Sequence, residues 1–167
     1  MSDIQELRRL QDRFAIIDAI NRYGTATDTR DWNGLRSCFV EEPLLDFSAF
    51  ESSTPQEPKP MKADAFVEFA RKTQNGLTTT QHLIGNHAIT LLENEADCSA
   101  HFVAWHYLSN RRGSSFQVQG GWYEMRLTRM SDGWRISRLV LHVLWNDGNW
   151  GVFESAQKTS QNLGEIR

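Results

Sequence analysis

The sequence predicts an α+β fold, in which three helices come first and a run of antiparallel strands follows. Apolar residues recur at intervals of three and four before residue 75, which is typical of amphipathic helices. After residue 79 the chain is rich in β-branched and aromatic residues, in stretches that turn residues divide. One sheet flanked by three helices has to curl around them, so we expect a cone with a hollow interior.

The first helix is expected to begin near Ser2, which can form a capping box with Gln5. An apolar stripe that is expected to face the core follows at Leu7, Leu10, Phe14 and Ile17. If the stripe continues at intervals of three and four residues, it reaches Asn21, Gly24 and Asp28. A buried carboxylate is costly unless it is paired, so Asp28 is either a turn residue at the helix end or a functional residue.

The second helix is predicted over Trp32–Phe39, with Asp31 as its cap. Pro43 is expected to end this helical region, and the segment Leu44–Phe50 is predicted to be a strand. Three prolines within residues 51–60 then predict a loop, which is a candidate cover for the cavity.

The third helix is predicted over Lys62–Lys72, and its inner side carries Ala65, Phe66, Phe69 and Ala70. Strands are predicted near residues 80–93, 97–108, 116–130 and 134–146. Gly120 and Gly121 interrupt the third of these strands and predict a bulge or bend there. The polar residues 151–167 are expected to form a loosely held tail.

Length and charge limit the function. The 167 residues predict a single domain over 1–167, and a net charge of -3 without a basic run argues against nucleic acid. The stretch 139–145 is only seven residues long, too short to span a bilayer. The acidic N-terminal residues lack the hydrophobic segment of a signal peptide, and Cys38 and Cys98 do not have the spacing of a CxxC motif. We therefore expect a cytoplasmic protein with two buried free thiols, bound to neither membrane nor nucleic acid.

The residues that could carry chemistry are imidazoles and carboxylates. All five histidines lie in the strand half, and His101 and His106 fall on opposite faces of one strand. Both faces are apolar, so periodicity leaves open which of the two points into the cone. Nucleophile-elbow, phosphate-loop and metal-ligand motifs are absent, so neither cofactor nor metal is expected. Acid–base chemistry on a flat apolar molecule fits the remaining side chains best.

Three stretches, at residues 28–36, 45–50 and 80–85, resemble the scytalone dehydratase and SnoaL-like families of the NTF2-like superfamily. The residues 65–67 and the sequence Asp-Gly-Trp-Arg-Ile at 132–136 fit the same frame. The resemblance implies a cone of three helices held in a strongly curved antiparallel sheet. It also implies a catalytic pair, Asp28 and His82, a substrate-binding His106, and a homodimer or homotrimer.

The sequence departs from scytalone dehydratase at two pocket tyrosines, whose positions match Thr27 and Phe47. Scytalone itself is therefore not the expected substrate, and Phe47 is expected to line the pocket. Tyr23, five residues before Asp28, has a spacing similar to that in bacterial bile-acid dehydratases. A five-residue step is about 140° on an ideal helix, so the two would share a pocket only if the helix bends or ends near Gly24.

The first hypothesis is thus a cofactor-independent lyase or isomerase that acts on a cyclic, largely apolar small molecule. Two other readings stay open, because fold alone does not decide function. One is a binding or assembly module without chemistry, and the other is a subunit like the small subunit of ring-hydroxylating dioxygenases.

Overall fold

The computed structural model describes residues 3–50, 57–109 and 113–164. These residues form a mixed helix and sheet structure. The elements are α1 (Asp3–Thr29), α2 (Trp32–Ser37), β1 (Phe39–Asp46), a 3₁₀ turn (Ser48–Phe50), β2 (Lys59–Pro60), α3 (Ala63–Gln74), β3 (Thr79–Leu91), β4 (Glu95–Tyr107), β5 (Phe116–Met130), β6 (Gly133–Gly148) and α4 (Gly151–Gly164).

The strands form one curved sheet in the order β2-β1-β6-β5-β4-β3. All neighbours are antiparallel except β1 and β6, which are parallel. The predicted bend in β5 is confirmed, since the register with β6 shifts between Gly120 and Gly121. A Cβ at Gly121 would lie 1.9 Å from the carbonyl oxygen of His142, so the bend needs glycine there.

The concave side of the sheet holds the core. Alternate residues of β4 from Ala96 to His106 are buried, and those between them are exposed or half-buried. The helices α1, α2 and α3 fill the cone from this side, and the main core cluster is built from their inner faces and the strands. Both cysteines are buried free thiols, as predicted.

Helix α1 carries two apolar faces, and the predicted stripe meets the core only from Ile17 onward. Leu7, Leu10 and Phe14 are 58%, 50% and 67% exposed. The core-facing residues are instead Ile16, Ala19, Ile20, Tyr23 and Ala26. Phe14 and Ile16 lie about 200° apart on the helix. The prediction for Leu7, Leu10 and Phe14 was wrong because the apolar residues on both faces repeat with the period of a helix. The proposed cap Ser2 lies outside the described residues.

The segment after Asp31 also differs from its prediction. Asp31 does cap α2 by accepting the backbone N–H of Gly34 at 2.9 Å, but α2 ends at Ser37 and Phe39 begins β1. Pro43 lies inside β1, not at a helix end. The pairing with β6 is interrupted between Phe39 and Leu44. The missing backbone N–H of Pro43 therefore costs no hydrogen bond to β6.

Three further predictions need correction. Residues 48–50 form a 3₁₀ turn rather than strand, and the described end of the 51–60 segment contains β2. On α3, Phe66 and Ala70 are buried as predicted, whereas Ala65 and Phe69 are exposed. The tail forms α4, whose Val152, Phe153 and Ala156 are buried at the open end of the cone. In the described part of the chain, no helix is long and apolar enough to cross a membrane.

Candidate active site

Asp28, near the end of α1, reaches two residues of β3 at once. Its Oδ1 lies 2.6 Å from Nδ1 of His82 and accepts the hydroxyl of Thr80 at 2.9 Å. Its Oδ2 accepts the backbone N–H of His82 at 2.7 Å. The structure thus brings together the two residues predicted as the catalytic pair, and the carboxylate fixes both the ring and the backbone of His82.

The close approach of α1 to β3 makes this contact possible. Gly24 faces β3, where an added Cβ would lie 3.2 Å from the Cδ1 of Ile84 and 3.4 Å from the Cβ of His82. A larger residue at Gly24 would therefore press the helix away from the strand. Asn21, which the stripe placed inward, is exposed and takes no part in the site.

The carboxylate of Asp28 is held in its charged form. Burial opposes ionisation, but the hydrogen bonds and charge of His82, with the hydroxyl of Thr80, hold the pKa of Asp28 below its ordinary value. The side chain of His82 is only 7% exposed. With Nδ1 bonded to an ionised carboxylate, the tautomer of His82 is expected to leave Nε2 free to accept a proton.

His106 is the histidine of β4 that points into the cone, while His101 is exposed on the outer face. Its ring lies 5.7 Å from that of His82, nearly perpendicular to it. Burial, together with the nearby His82, lowers the pKa of His106 to about 3, so this ring is neutral at physiological pH. A hydrogen bond joins it to the backbone of Gln117, and its buried Nδ1 has no partner among the described residues.

A largely apolar cavity opens beside these two rings. Its aromatic lining is Tyr23, Phe47, Phe50, Phe66, Phe69, Phe102 and Tyr123, and its polar lining includes Thr27, Thr73, Gln74, His82, His106 and Gln119. Phe47 stacks on Phe66 with ring centroids 5.2 Å apart. All the predicted substrate-binding residues therefore line one cavity, whereas Asp28 lies behind His82 and outside this lining.

Tyr23 lines the cavity although α1 continues through Gly24 to Thr29. It need not share a face with Asp28, because His82 connects the carboxylate to the cavity. Tyr23 and Tyr123 meet edge to face at 5.8 Å, and their hydroxyls share a hydrogen bond. Burial raises the pKa of both phenols, so both are neutral hydrogen-bonding groups.

Sequence reasoning missed four residues of the site: Thr80, Gln117, Gln119 and Tyr123. Gln117 and Gln119 point inward from β5 and are buried, and within the described part of the chain the side-chain nitrogen of each has no partner. Polar residues on the buried face of a strand signal a site, but that face could not be recognised from the sequence. Among the described residues, no three His, Cys, Asp or Glu side chains cluster as a metal site requires.

This cone of helices in a curved sheet is the architecture of the NTF2-like superfamily. Within it, the chain belongs to the SnoaL-like domain family, whose sequence profile matches residues 8–140. The terrestric acid biosynthesis cluster protein E of Penicillium crustosum is 28% identical over 150 residues, which cover 86% of this chain and 90% of that protein.

Two solved structures share the fold. The Kfla4162 protein of Kribbella flavida has a TM-score of 0.79 at 23% identity, covering 89% of this chain and 99% of its own. A Novosphingobium aromaticivorans protein assigned as a scytalone dehydratase has a TM-score of 0.71 at 19% identity, covering 84% of this chain and 89% of its own. The cone predicted from the sequence is therefore confirmed.

Proposed function

We propose that this protein is a cofactor-independent lyase or isomerase that moves a proton within a cyclic, largely apolar small molecule. The observation that carries the proposal is the pairing of Asp28 with His82 at the cavity wall, through both carboxylate oxygens. A binding module has no need of an ionised carboxylate held at a half-buried position by three hydrogen bonds. Relatives that include dehydratases by assignment are consistent with this chemistry.

In the proposed reaction, Nε2 of His82 removes a proton from the carbon next to a carbonyl of the substrate. The imidazolium that forms is stabilised by the Asp28 carboxylate on Nδ1. His82 then returns the proton to a departing hydroxyl, so that one C–H and one C–O bond break, a C=C bond forms and water leaves. If the proton returns to another carbon instead, the same residues catalyse an isomerisation.

The other polar residues of the cavity have proposed binding roles. Neutral His106 offers Nδ1 as an acceptor for a substrate hydroxyl, and Gln119 offers an amide N–H to a substrate oxygen. Tyr23 can donate its phenol proton to the carbonyl oxygen as negative charge develops there. Phe47 packs against the ring of the substrate.

The same proton transfer would also serve dehydrohalogenation or cyclisation, so the substrate decides the reaction class. A homodimer or homotrimer in the cytoplasm is proposed with it. Two buried free thiols fit a reducing compartment.

The first test needs no substrate. Ring ¹⁵N chemical shifts of His82 distinguish a proton on Nδ1 from one on Nε2, in the wild type and in Asp28→Asn. We expect the wild type to hold the proton on Nδ1, and the variant to lose this preference because an amide can also donate. Cyclic hydroxy-ketones would then be screened for loss of water, with His82→Ala as the inactive control.

If His82 has the same tautomer mixture in both proteins, the pair does not control the base and the proposal is wrong. A function in ligand binding or assembly would then be the better hypothesis. Co-purification of a constant partner chain would indicate a dioxygenase-like subunit instead.

A further inference from the structure

The exposed apolar strip of α1 is unexplained by either the core or the site. It consists of Leu7, Leu10 and Phe14, all at least half exposed. The spacing of three and then four residues is that of the a and d positions of a coiled coil. The strip lies before Ile16, the first core residue of the helix.

The other side of this segment is fixed to the body of the protein. Asp12 accepts two hydrogen bonds from Arg129, at 2.6 and 2.7 Å, and a third from the indole N–H of Trp134 at 3.3 Å. These bonds hold the helix in a set rotation, with the strip turned to solvent. A contiguous apolar strip on a rigid helix is a surface suited to a partner helix.

We propose that Leu7 and Leu10 of the strip pair with the same two residues of a second copy of this chain, as two antiparallel helices. Antiparallel pairing follows from the position of the strip. From Ile16 onward α1 is built into the core, so a parallel pair would force two bodies into the same space. An antiparallel pair places the bodies at opposite ends, and the segments before Ile16 overlap.

Charge selects the register. When Leu7 lies opposite Leu10 of the partner subunit, Glu6 and Arg13 of the partner subunit flank this pair on the same side, two residues apart along the helices, and the contact occurs twice by symmetry. One heptad further along, Arg13 would face Arg13 of the partner subunit. The Nη1 of Arg13 donates to the carbonyl of Ile89 at 3.1 Å, which leaves other guanidinium N–H groups for a carboxylate.

Molecular mass in solution, measured by light scattering over a range of protein concentrations, tests this. The assembly of the double variant Leu7→Glu/Leu10→Glu should have half the molecular mass of the wild-type assembly. This holds also if the wild type forms further subunit contacts elsewhere, because only the α1 pairing is lost. Met61→Glu is the matched control, because Met61 is a similarly exposed apolar residue outside α1, and its mass should stay unchanged. Circular dichroism verifies that each variant is folded.

A charge exchange tests the register. Glu6→Lys should weaken the pairing about 10-fold, since two attractive contacts become repulsive. Glu6→Lys combined with Arg13→Glu should restore it. A monomeric wild type, an unchanged mass of the Leu7/Leu10 variant, or a fall to one third would each overturn the proposal. Failure of the exchange to restore pairing would overturn the register.

Discussion

Asp28 Oδ1 lies 2.6 Å from Nδ1 of His82, and Oδ2 of the same carboxylate accepts the backbone N–H of His82 at 2.7 Å. One carboxylate thus fixes the ring and the strand of one histidine. The ring therefore has little freedom to turn its Nε2 away from the cavity. Preorganisation of this kind is what an acid–base catalyst needs, because a fixed base has no reorganisation to undergo as the reaction proceeds.

Replacing Asp28 with Asn should abolish most of the activity while the fold survives. The amide keeps the shape but can no longer fix the tautomer or stabilise the imidazolium, for which a loss of about 10³–10⁴-fold in kcat is expected. Turnover of a screened cyclic hydroxy-ketone and circular dichroism measure the two effects. Retention of near-full activity in a folded Asp28→Asn protein would contradict the proposed role.

Replacing Thr80 with Val should have a smaller effect of the same kind. Valine has nearly the same shape but removes the hydroxyl that donates to Asp28 at 2.9 Å. The loss of one hydrogen bond to the carboxylate should lower kcat about 5- to 10-fold with little change in KM. Thr79→Val is the control, since Thr79 is the exposed neighbour on β3. Equal kinetics of the two variants would speak against a positioning role for Thr80.

His106 should make the protein less stable as the pH falls. Its pKa is about 3 in the folded protein, against about 6.5 for an unfolded histidine, so below pH 6.5 the unfolded state binds the extra proton. The free energy of unfolding should therefore fall by about 1.4 kcal/mol per pH unit through this group. In His106→Gln this contribution disappears. Urea denaturation between about pH 7 and 5 measures how the free energy of unfolding of each protein depends on pH.

His101→Gln is the matched control, because His101 lies on the exposed face of the same strand. Parallel stability curves of wild type and His106→Gln would show that His106 takes up protons in the folded state as well.

The strands and the pairing of Asp28 with His82 were predictable, but the orientation of the elements was not. The stretches around Asp28 and His82 carry a motif, and β5 was predicted with its observed bounds. For the first half of α1 the wrong face was predicted, because Phe14 and Ile16 belong to two stripes of equal periodicity. Only tertiary packing shows that one stripe meets the core.

The inward face of β4 was unpredictable for a related reason. Its outer face exposes aromatic residues, among them Trp105 and Tyr107, so both faces are apolar. Because the sequence did not show to which side of β4 His106 points, the polar side chains across from it on β5 could not be assigned to the cavity. The tail was predicted to be loosely held because it is polar, yet Val152 and Ala156 are four positions apart, as on one face of a helix.

The contact of α1 with the β5–β6 hairpin should respond to acid. Arg129 holds the pKa of Asp12 below its ordinary value, despite an opposing effect of burial. Asp12→Asn should lower the free energy of unfolding by about 1 kcal/mol at pH 7, since both residues remain partly exposed. Because the folded pKa is the lower one, this difference should be complete above about pH 5 and fade as the pH falls below 4. Denaturation of both proteins at pH 7 and below pH 4 tests this prediction. A stability difference that is the same at the two pH values would exclude the ion pair as its cause.

Gln119 should show opposite effects on stability and activity. Its side-chain nitrogen is buried and has no partner in the ranges that the structure describes, and an unsatisfied buried donor costs about 1–3 kcal/mol. Gln119→Leu removes that cost and should raise the free energy of unfolding by about 1 kcal/mol. The same change removes the proposed donor to a substrate oxygen, so KM should rise about 10-fold or more. Denaturation and steady-state kinetics measure the pair of effects. A variant that is both less stable and equally active would show that Gln119 serves the core and not the substrate.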